Sequence, residues 1–122
     1  MSQTLDLFPI GNCAASALVD RSARFVWGCF PRVDGDPAFC ALLSGEKADE
    51  QGFWSVEVED LASVRQSYVR NTPILVSELT DRSGAVVEVT DFAPRYRQFG
   101  RVYRPVAFIR RIRRLSGAPR IR

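Results

Sequence analysis

The strongest constraint on the fold is a pair of strand-like segments joined by a tight-turn sequence. Residues 72–80 centre on an Ile-Leu-Val run, residues 81–84 read Asp-Arg-Ser-Gly, and residues 85–92 alternate apolar and polar side chains. A period of two is typical of a strand with one buried face. Gly84 supplies the positive φ that a short hairpin turn favours. The segment therefore predicts an antiparallel hairpin.

The rest of the chain is also mostly strand-like. Further strand patterns occupy residues 11–19, 24–30, 52–59 and 63–70, and loops are predicted at residues 31–37, 46–51 and 95–104. Residues 38–43 predict a short helix, since Asp36 suits the N-cap, Pro37 the first helical position and Gly45 the end. We expect Phe53 and Trp54 to pack in the core. The expected fold class is all-β and antiparallel, with at most one short helix near residues 37–44.

Residues 106–115 fit two structures. Phe108, Ile109, Ile112 and Leu115 form a stripe with helical spacing. A Ser-Gly turn signal follows at 116–117, and residues 119–122 then resemble the start of a returning strand. A strand that stops so early would leave an unpaired edge. This ending suggests the front part of a longer protein, with self-association through the exposed strand edge as one consequence.

Length and composition exclude several classes of protein. With 122 residues the chain is expected to form one domain, and no apolar run approaches a membrane span. The first residues lack the features of a secretory signal, so we expect a cytoplasmic protein without a membrane partner. The chain has no histidine, which removes Ser-His and Cys-His catalysis. Cys13, Cys29 and Cys40 are expected to be free thiols, and we expect neither a metal nor a cofactor.

The charge is unevenly distributed along the chain. All 14 acidic residues lie at or before Asp91, and from Arg101 onward there are eight arginines and no acid. A basic surface is expected at Arg110, Arg111, Arg113 and Arg114. Such a surface could bind phosphate or another acidic macromolecule, or it could be a solvated or interdomain face. Because no nucleic-acid motif accompanies it, we expect no nucleic-acid partner.

The segment 27–36 contains the best candidate for a binding site. Trp27 and Phe30 offer flat apolar faces that could stack on a sugar ring. Arg32 offers a planar fork of donors, and Asp34 can accept hydrogen bonds from hydroxyl groups. The alternative is purely structural, with an Arg32–Asp34 ion pair that staples the loop and Asp36 as a helix cap.

Paired carboxylates do not provide a convincing catalytic centre. Asp34 and Asp36 lie two residues apart on a loop, and Glu57 and Glu59 share one strand face. Glycoside hydrolysis needs two carboxyl groups at a set separation, one of them with a raised pKa. These pairs are better explained as solvated charges and turn formers, so we assign no catalytic residue.

An ordered set of segments resembles the N-terminal domain of trehalase-like and glucoamylase-like glycoside hydrolases of family 15. The similar segments are residues 10–13, 15–19, 27–34, 39–43, 52–55, 71–79, 84–90, 91–94, 103–105, 110–111 and 115–117. The resemblance implies an antiparallel β-sandwich, part of a supersandwich, followed by an (α/α)-barrel that supplies the catalytic acid and base. It implies that residues 1–122 are the front part of that sandwich, without the barrel, and that residues 106–115 form a strand.

The resemblance also implies a function. The chain is expected to be a non-catalytic segment of a glycoside hydrolase that acts on α-linked glucose units, such as trehalose or maltooligosaccharides. It would brace the barrel of the same polypeptide and lend the loop with Trp27, Phe30, Arg32 and Asp34 to the barrel's rim, where a carbohydrate could contact it. The alternatives are a free-standing module that binds an acidic macromolecule through its arginine-rich end, and a degenerate fragment.

Overall fold

The structure is a computed structural model that describes residues 6–43 and 52–122. The loop predicted at 46–51 lies outside these residues. The strands are β1 (Phe8–Gly11), β2 (Ser16–Val19), β3 (Phe25–Cys29), β4 (Pro37–Phe39), β5 (Leu61–Tyr68), β6 (Leu75–Asp81), β7 (Val86–Phe92), β8 (Tyr96–Gln98), β9 (Arg101–Tyr103) and β10 (Ile109–Ser116). Within the described ranges, no helix is long and apolar enough to cross a membrane.

The strands form two four-stranded antiparallel sheets and one small hairpin. The first sheet has the order β1-β2-β3-β4, the second has the order β10-β7-β6-β5, and β8 pairs with β9 alone. The described residues contain no α-helix, only a 3₁₀ turn at Ala41–Leu43. The prediction of an all-β antiparallel fold is confirmed.

The predicted central hairpin is β6 and β7. Its register runs from Leu75 opposite Asp91 to Thr80 opposite Val86. The two strands are joined by a four-residue connection, residues 82–85, in which Gly84 has a φ of 88°. The buried side chains of β6 and β7 alternate with half-buried ones, as the period of two in the sequence requires.

Two groups of buried side chains fill the space between the layers. The first lies between the first sheet and β6, and comprises Ile10, Ala17, Val19, Phe25 and Leu75. The second comprises Ala23, Val56, Val58, Leu79, Val87 and Val89. Burying each larger apolar side chain stabilises the fold by roughly 1.5–3 kcal/mol. The first sheet thus covers one half of the second sheet, and the segment with Val56 and Val58 covers the other half.

Two local predictions at the start of the chain were wrong. Residues 11–19, predicted as one strand, are divided by a turn at residues 12–15, where Cys13 has a φ of 71°. The short helix predicted at 38–43 is replaced by β4 and the 3₁₀ turn. Phe39 of β4 packs edge-on against Phe25, with ring centroids 5.6 Å apart. This packing against the first sheet outweighs the local helix signal.

The ambiguous segment near the C-terminal end is strand β10. It pairs with β7 from Ile109 opposite Phe92 onward, with a bulge before Ser116. The chain then leaves the second sheet, and Ile121 forms an antiparallel bridge with Val58. Residues 119–122 therefore pair with the 57–59 segment and do not return along β10.

Trp54 is not a core residue, contrary to the prediction. Its side chain is 40 % exposed, although its ring lies 5.3 Å from that of Phe25. Phe53 is half-buried and has the Arg24 guanidinium 5.3 Å from its ring. The segment forms isolated bridges at Trp54 and Val58, and Phe53 packs against the buried cluster of Val26 and Ala41.

Candidate functional site

Four connections gather at one end of the sandwich, which we call the loop end. They are the β1–β2 turn, the β3–β4 loop, the β5–β6 turn and the long connection from β7 to β10. Tyr68 at the end of β5 donates a hydrogen bond to the Pro9 carbonyl of β1, at 2.8 Å. Phe30 packs against Phe108, with ring centroids 5.1 Å apart. These contacts bring segments far apart in sequence to one surface.

Asn12 fixes the geometry of the loop end. Its side chain is buried, and its Nδ2 donates to the carbonyls of Pro94 at 2.9 Å and Pro105 at 2.8 Å. Its Oδ1 accepts from the backbone N–H groups of Ala14 at 3.0 Å and Ala15 at 2.9 Å. The amide therefore uses its full donor capacity and both acceptor lone pairs. One residue shapes the β1–β2 turn and holds both ends of the β8–β9 connection.

The β8–β9 hairpin projects from the loop end, where the sequence predicted a loop. Tyr96 and Tyr103 face each other across it, with ring centroids 5.2 Å apart. At its tip Phe99 is 94 % exposed, and both Phe99 and Gly100 have positive φ. The sequence signal was present, because a residue pair ending in glycine between strand-forming residues favours a two-residue turn.

The β3–β4 loop carries three of the four predicted binding residues. Phe30 is half-buried against Phe108, while Arg32 and Asp34 extend toward solvent. Their Nη2 and Oδ2 atoms lie 2.9 Å apart, with 76 % and 65 % of the side chains exposed. Trp27 lies within β3 and is half-buried. The Arg32–Asp34 ion pair, predicted from the sequence as the structural alternative to a binding site, is formed. It lies at the surface, where a ligand can reach it.

Arg110 was predicted on a basic surface but is buried. Its side chain and that of Asp91 are both 0 % exposed. The Nε atom donates to Asp91 Oδ1 at 2.7 Å, and Nη2 donates to Oδ2 at 3.2 Å. The guanidinium also donates to the carbonyls of Trp54 and Ala23 and lies 4.5 Å from the Phe25 ring centroid. The physical reason is register, since Arg110 pairs with Asp91 and both face inward.

Burial determines the electrostatics of this pair. Removal of the carboxyl group from water raises the pKa of Asp91, while the hydrogen bonds and charge of Arg110 oppose that rise. The pair connects β10 to β7, Trp54 and Ala23 in the interior. Its role in this position is structural, because neither group reaches the surface.

The other predicted basic residues lie on β10. Arg111 and Arg113 are 61 % and 56 % exposed and share Glu88 as an ion partner, at 3.5 Å and 3.2 Å. Arg114 is exposed and donates to the Gly117 carbonyl at 3.2 Å. With Arg110 buried, the expected four-arginine surface is reduced to three residues, two of which are partly neutralised by Glu88.

The carboxylates do not meet in a cleft in the part of the chain that the structure describes. Glu57 lies beside Arg122 at 2.5 Å and Glu59 beside Arg120 at 3.9 Å. Glu78 stands opposite Glu88 in the β6–β7 pair, on the outer face of the second sheet. Residues 6–43 and 52–122 contain no group of three metal-ligating side chains.

A shallow apolar groove of about 800 Å³ lies at the loop end, beside the base of the β8–β9 hairpin. Its lining includes Pro9, Ile10, Pro73, Ile74, Phe92 and Tyr96. Asn12 also lines the groove but has no free hydrogen-bonding capacity. The groove's remaining polar side chains include Ser16, Thr72 and Arg95, so the lining is mostly apolar with a few polar groups.

Comparisons with known proteins agree on one family. The family model described as "Trehalase-like, N-terminal" matches residues 6–118. Trehalase of Thermoplasma volcanium is 29 % identical over 87 residues, which is 70 % of this chain and 14 % of that protein. Trehalase of Thermoplasma acidophilum is 30 % identical over 77 residues, which is 63 % of this chain and 13 % of that protein. The chain thus matches about a seventh of each relative's length, and no solved structure matches it significantly.

Proposed function

The chain belongs to the trehalase-like N-terminal family, and we propose that it is the non-catalytic front segment of an α-glucoside hydrolase. In this proposal the loop end braces the catalytic barrel of the same polypeptide. The β3–β4 loop contributes to the barrel's rim, with Arg32 and Asp34 nearest the sugar. The substrate is trehalose or a maltooligosaccharide.

One observation carries this proposal. The family match covers almost all of this all-β segment, yet the match to each trehalase covers only about a seventh of that protein's length. The described residues bring no carboxylate pair into a cleft, while glycoside hydrolysis requires two carboxyl groups on either side of the scissile bond. A catalytic pair supplied by another part of the polypeptide accounts for both facts.

The form of the loop end supports a docking role. Hydrogen bonds from Asn12 fix the connections of the loop end. The surface of the loop end includes the exposed Arg32–Asp34 pair and the apolar groove. A prearranged surface loses less conformational entropy when it binds. An arginine with an adjacent carboxylate offers both donors and acceptors to sugar hydroxyl groups.

The proposed role of the loop is tested by Arg32→Ala in the full-length enzyme. We expect kcat/KM for trehalose or maltooligosaccharides to fall about tenfold, because a hydrogen bond from a charged group contributes roughly 1.5–3 kcal/mol. Arg21→Ala is the matched control, since Arg21 forms a similarly exposed ion pair with Asp6 at 3.2 Å, away from the loop end. Unchanged kcat/KM in a correctly folded Arg32→Ala enzyme would refute a substrate-side role.

A further inference from the structure

We propose that the β8–β9 hairpin is an anchor that inserts Phe99 into an apolar, carboxylate-rimmed pocket on the part of the trehalase polypeptide beyond this segment. The inference rests on the proposed function, because it requires a catalytic part to dock against. It goes further by naming the docking element and the chemistry of the surface that receives it.

Packing within this domain does not explain the presence of Phe99 at the tip of the hairpin. Phe99 and Gly100 are the two turn residues between Gln98 and Arg101, and both lie in the left-handed region, with φ of 51° and 73°. Turns of this kind favour Asn, Asp or Gly at the first position. Phenylalanine is disfavoured in that conformation, and at 94 % exposure its ring gains no burial here. A large apolar side chain at such a position is explained by burial in a partner.

The hairpin is held ready for binding. Asn12 donates to the carbonyls of Pro94 and Pro105, which lie just before and just after the hairpin. The two prolines restrict φ at these positions, and the Tyr96–Tyr103 contact joins the strands. Conformational entropy that would be lost on docking is therefore already lost in the free segment.

The arginines around Phe99 indicate the chemistry of the surface that receives the hairpin. Residues 94–105 include four arginines and no acidic residue. Arg95, Arg97, Arg101 and Arg104 are exposed, and none has a carboxylate partner among the described residues; the Arg95 guanidinium contacts Cys13 Sγ at 3.7 Å. Guanidinium groups match carboxylates, and arginine with aromatic residues is the usual composition of a binding hot spot. The receiving surface is therefore apolar at its centre and acidic at its rim.

Two other ligands fit less well. A neutral sugar needs acceptors as well as donors, and the four arginines supply donors only, which leaves Gln98 and the two tyrosine hydroxyls as the side-chain acceptors of the hairpin. Single-stranded nucleic acid stacks successive bases on several free aromatic faces, but Tyr96 and Tyr103 pack against each other and leave Phe99 as the one free ring of the hairpin. A protein surface needs only one projecting aromatic anchor, and about six sevenths of each trehalase relative lies outside the matched region.

Hydrogen exchange tests the inference by comparing the isolated 122-residue chain with the full-length polypeptide. We expect residues 96–103 to exchange about tenfold more slowly in the full-length protein, because docking excludes water from the hairpin. The β3–β4 loop, residues 30–36, reports separately on the proposed function. Protection of that loop without protection of the hairpin would overturn the anchor and leave the proposed function standing. Protection of neither segment would overturn both.

The decisive variant is Phe99→Asn. Asparagine suits the left-handed turn, so the isolated domain should keep its melting temperature or gain slightly. In the full-length protein the same change should return hairpin exchange to the isolated rate and restore trypsin cleavage after Arg97 and Arg101. Phe99→Trp should preserve protection, and Leu43→Asn, at a site 74 % exposed elsewhere, should have no effect. Full protection in Phe99→Asn, or hairpin-dependent binding of single-stranded RNA by the isolated chain, would refute the proposal.

Discussion

Arg110 has the environment of a core residue in spite of its charge. Its guanidinium forms two hydrogen bonds with Asp91, and the rings of Phe25 and Trp54 lie 4.5 Å and 5.2 Å away. A buried ion pair contributes little compared with apolar residues of the same shape, but loss of one partner leaves a costly unpaired charge. The pair therefore specifies the β7–β10 register more than it adds net stability.

Arg110→Met should lower the free energy of unfolding by about 3–5 kcal/mol, because Asp91 remains buried without its cation. Urea denaturation of the isolated chain measures this loss. Arg113→Met is the matched control on the same strand. Arg113 is 56 % exposed and Arg111 remains as an ion partner of Glu88, so we expect a loss below about 1 kcal/mol. The double variant Arg110→Met with Asp91→Leu should recover much of the loss, and an Arg110→Met variant as stable as Arg113→Met would contradict this account.

Among the structural elements, the β6–β7 hairpin depends on its turn as much as on its strands. Asp81 Oδ1 accepts hydrogen bonds from Ser83 N at 2.8 Å, Ser83 Oγ at 2.7 Å and Ala85 N at 2.9 Å. The hydrogen bond from the Ser83 hydroxyl, helped by those from the backbone, lowers the pKa of Asp81 below 3.8. The ionised carboxylate therefore favours the folded state.

This lowered pKa predicts a pH-dependent effect of Asp81→Asn. The contribution of the charge is fully present above the unfolded pKa of 3.8 and is lost as the pH falls through the lower folded value. We expect the variant to have a lower urea midpoint than the parent at pH 7, and the difference to shrink toward pH 2. Ser83→Ala removes the main cause of the shift and should show a weaker pH dependence. If the difference in urea midpoint between the variant and the parent did not change with pH, the charge of Asp81 would not be its cause.

Strand β10 is an edge strand that is rich in arginine. Eight residues of β10 lie at one edge of the second sheet, and four of them are arginines. Charged side chains on an edge strand oppose edge-to-edge pairing between copies. The expected self-association through this edge remains a prediction, and arginine repulsion should make it salt-dependent.

At the scale of the whole molecule, elements defined by local patterns could be predicted and those defined by distant contacts could not. The β6–β7 hairpin follows from alternation and a turn sequence that are contiguous in the chain. The burial of Arg110 could not be predicted, because it depends on Phe25, Trp54 and Asp91, which only the fold brings together.

The same distinction holds at the loop end. The segment with Phe30, Arg32 and Asp34 was predicted from its chemistry as a candidate binding site. In the structure these residues belong to the β3–β4 loop at the loop end. Asn12 and the β8–β9 hairpin were missed as a unit, because hydrogen bonds from Asn12 to Pro94 and Pro105 span 82 and 93 residues. Sequence spacing cannot reveal a contact of that range.

The isolated 122-residue chain should release no glucose from trehalose, maltose or starch above background. Among the described residues, the carboxylate pair that is directly opposed across neighbouring strands, Glu78 and Glu88, lies on an outer sheet face, and Glu88 is already paired with Arg111 and Arg113. A catalytic acid needs a raised pKa and a water-excluding cleft, and this flat face supplies no such cleft. The trehalase of Thermoplasma volcanium is the positive control for the assay, and cooperative unfolding shows that the 122-residue chain is folded. Clear turnover that disappears in Glu88→Gln would prove this interpretation wrong and place a catalytic centre on the sandwich itself.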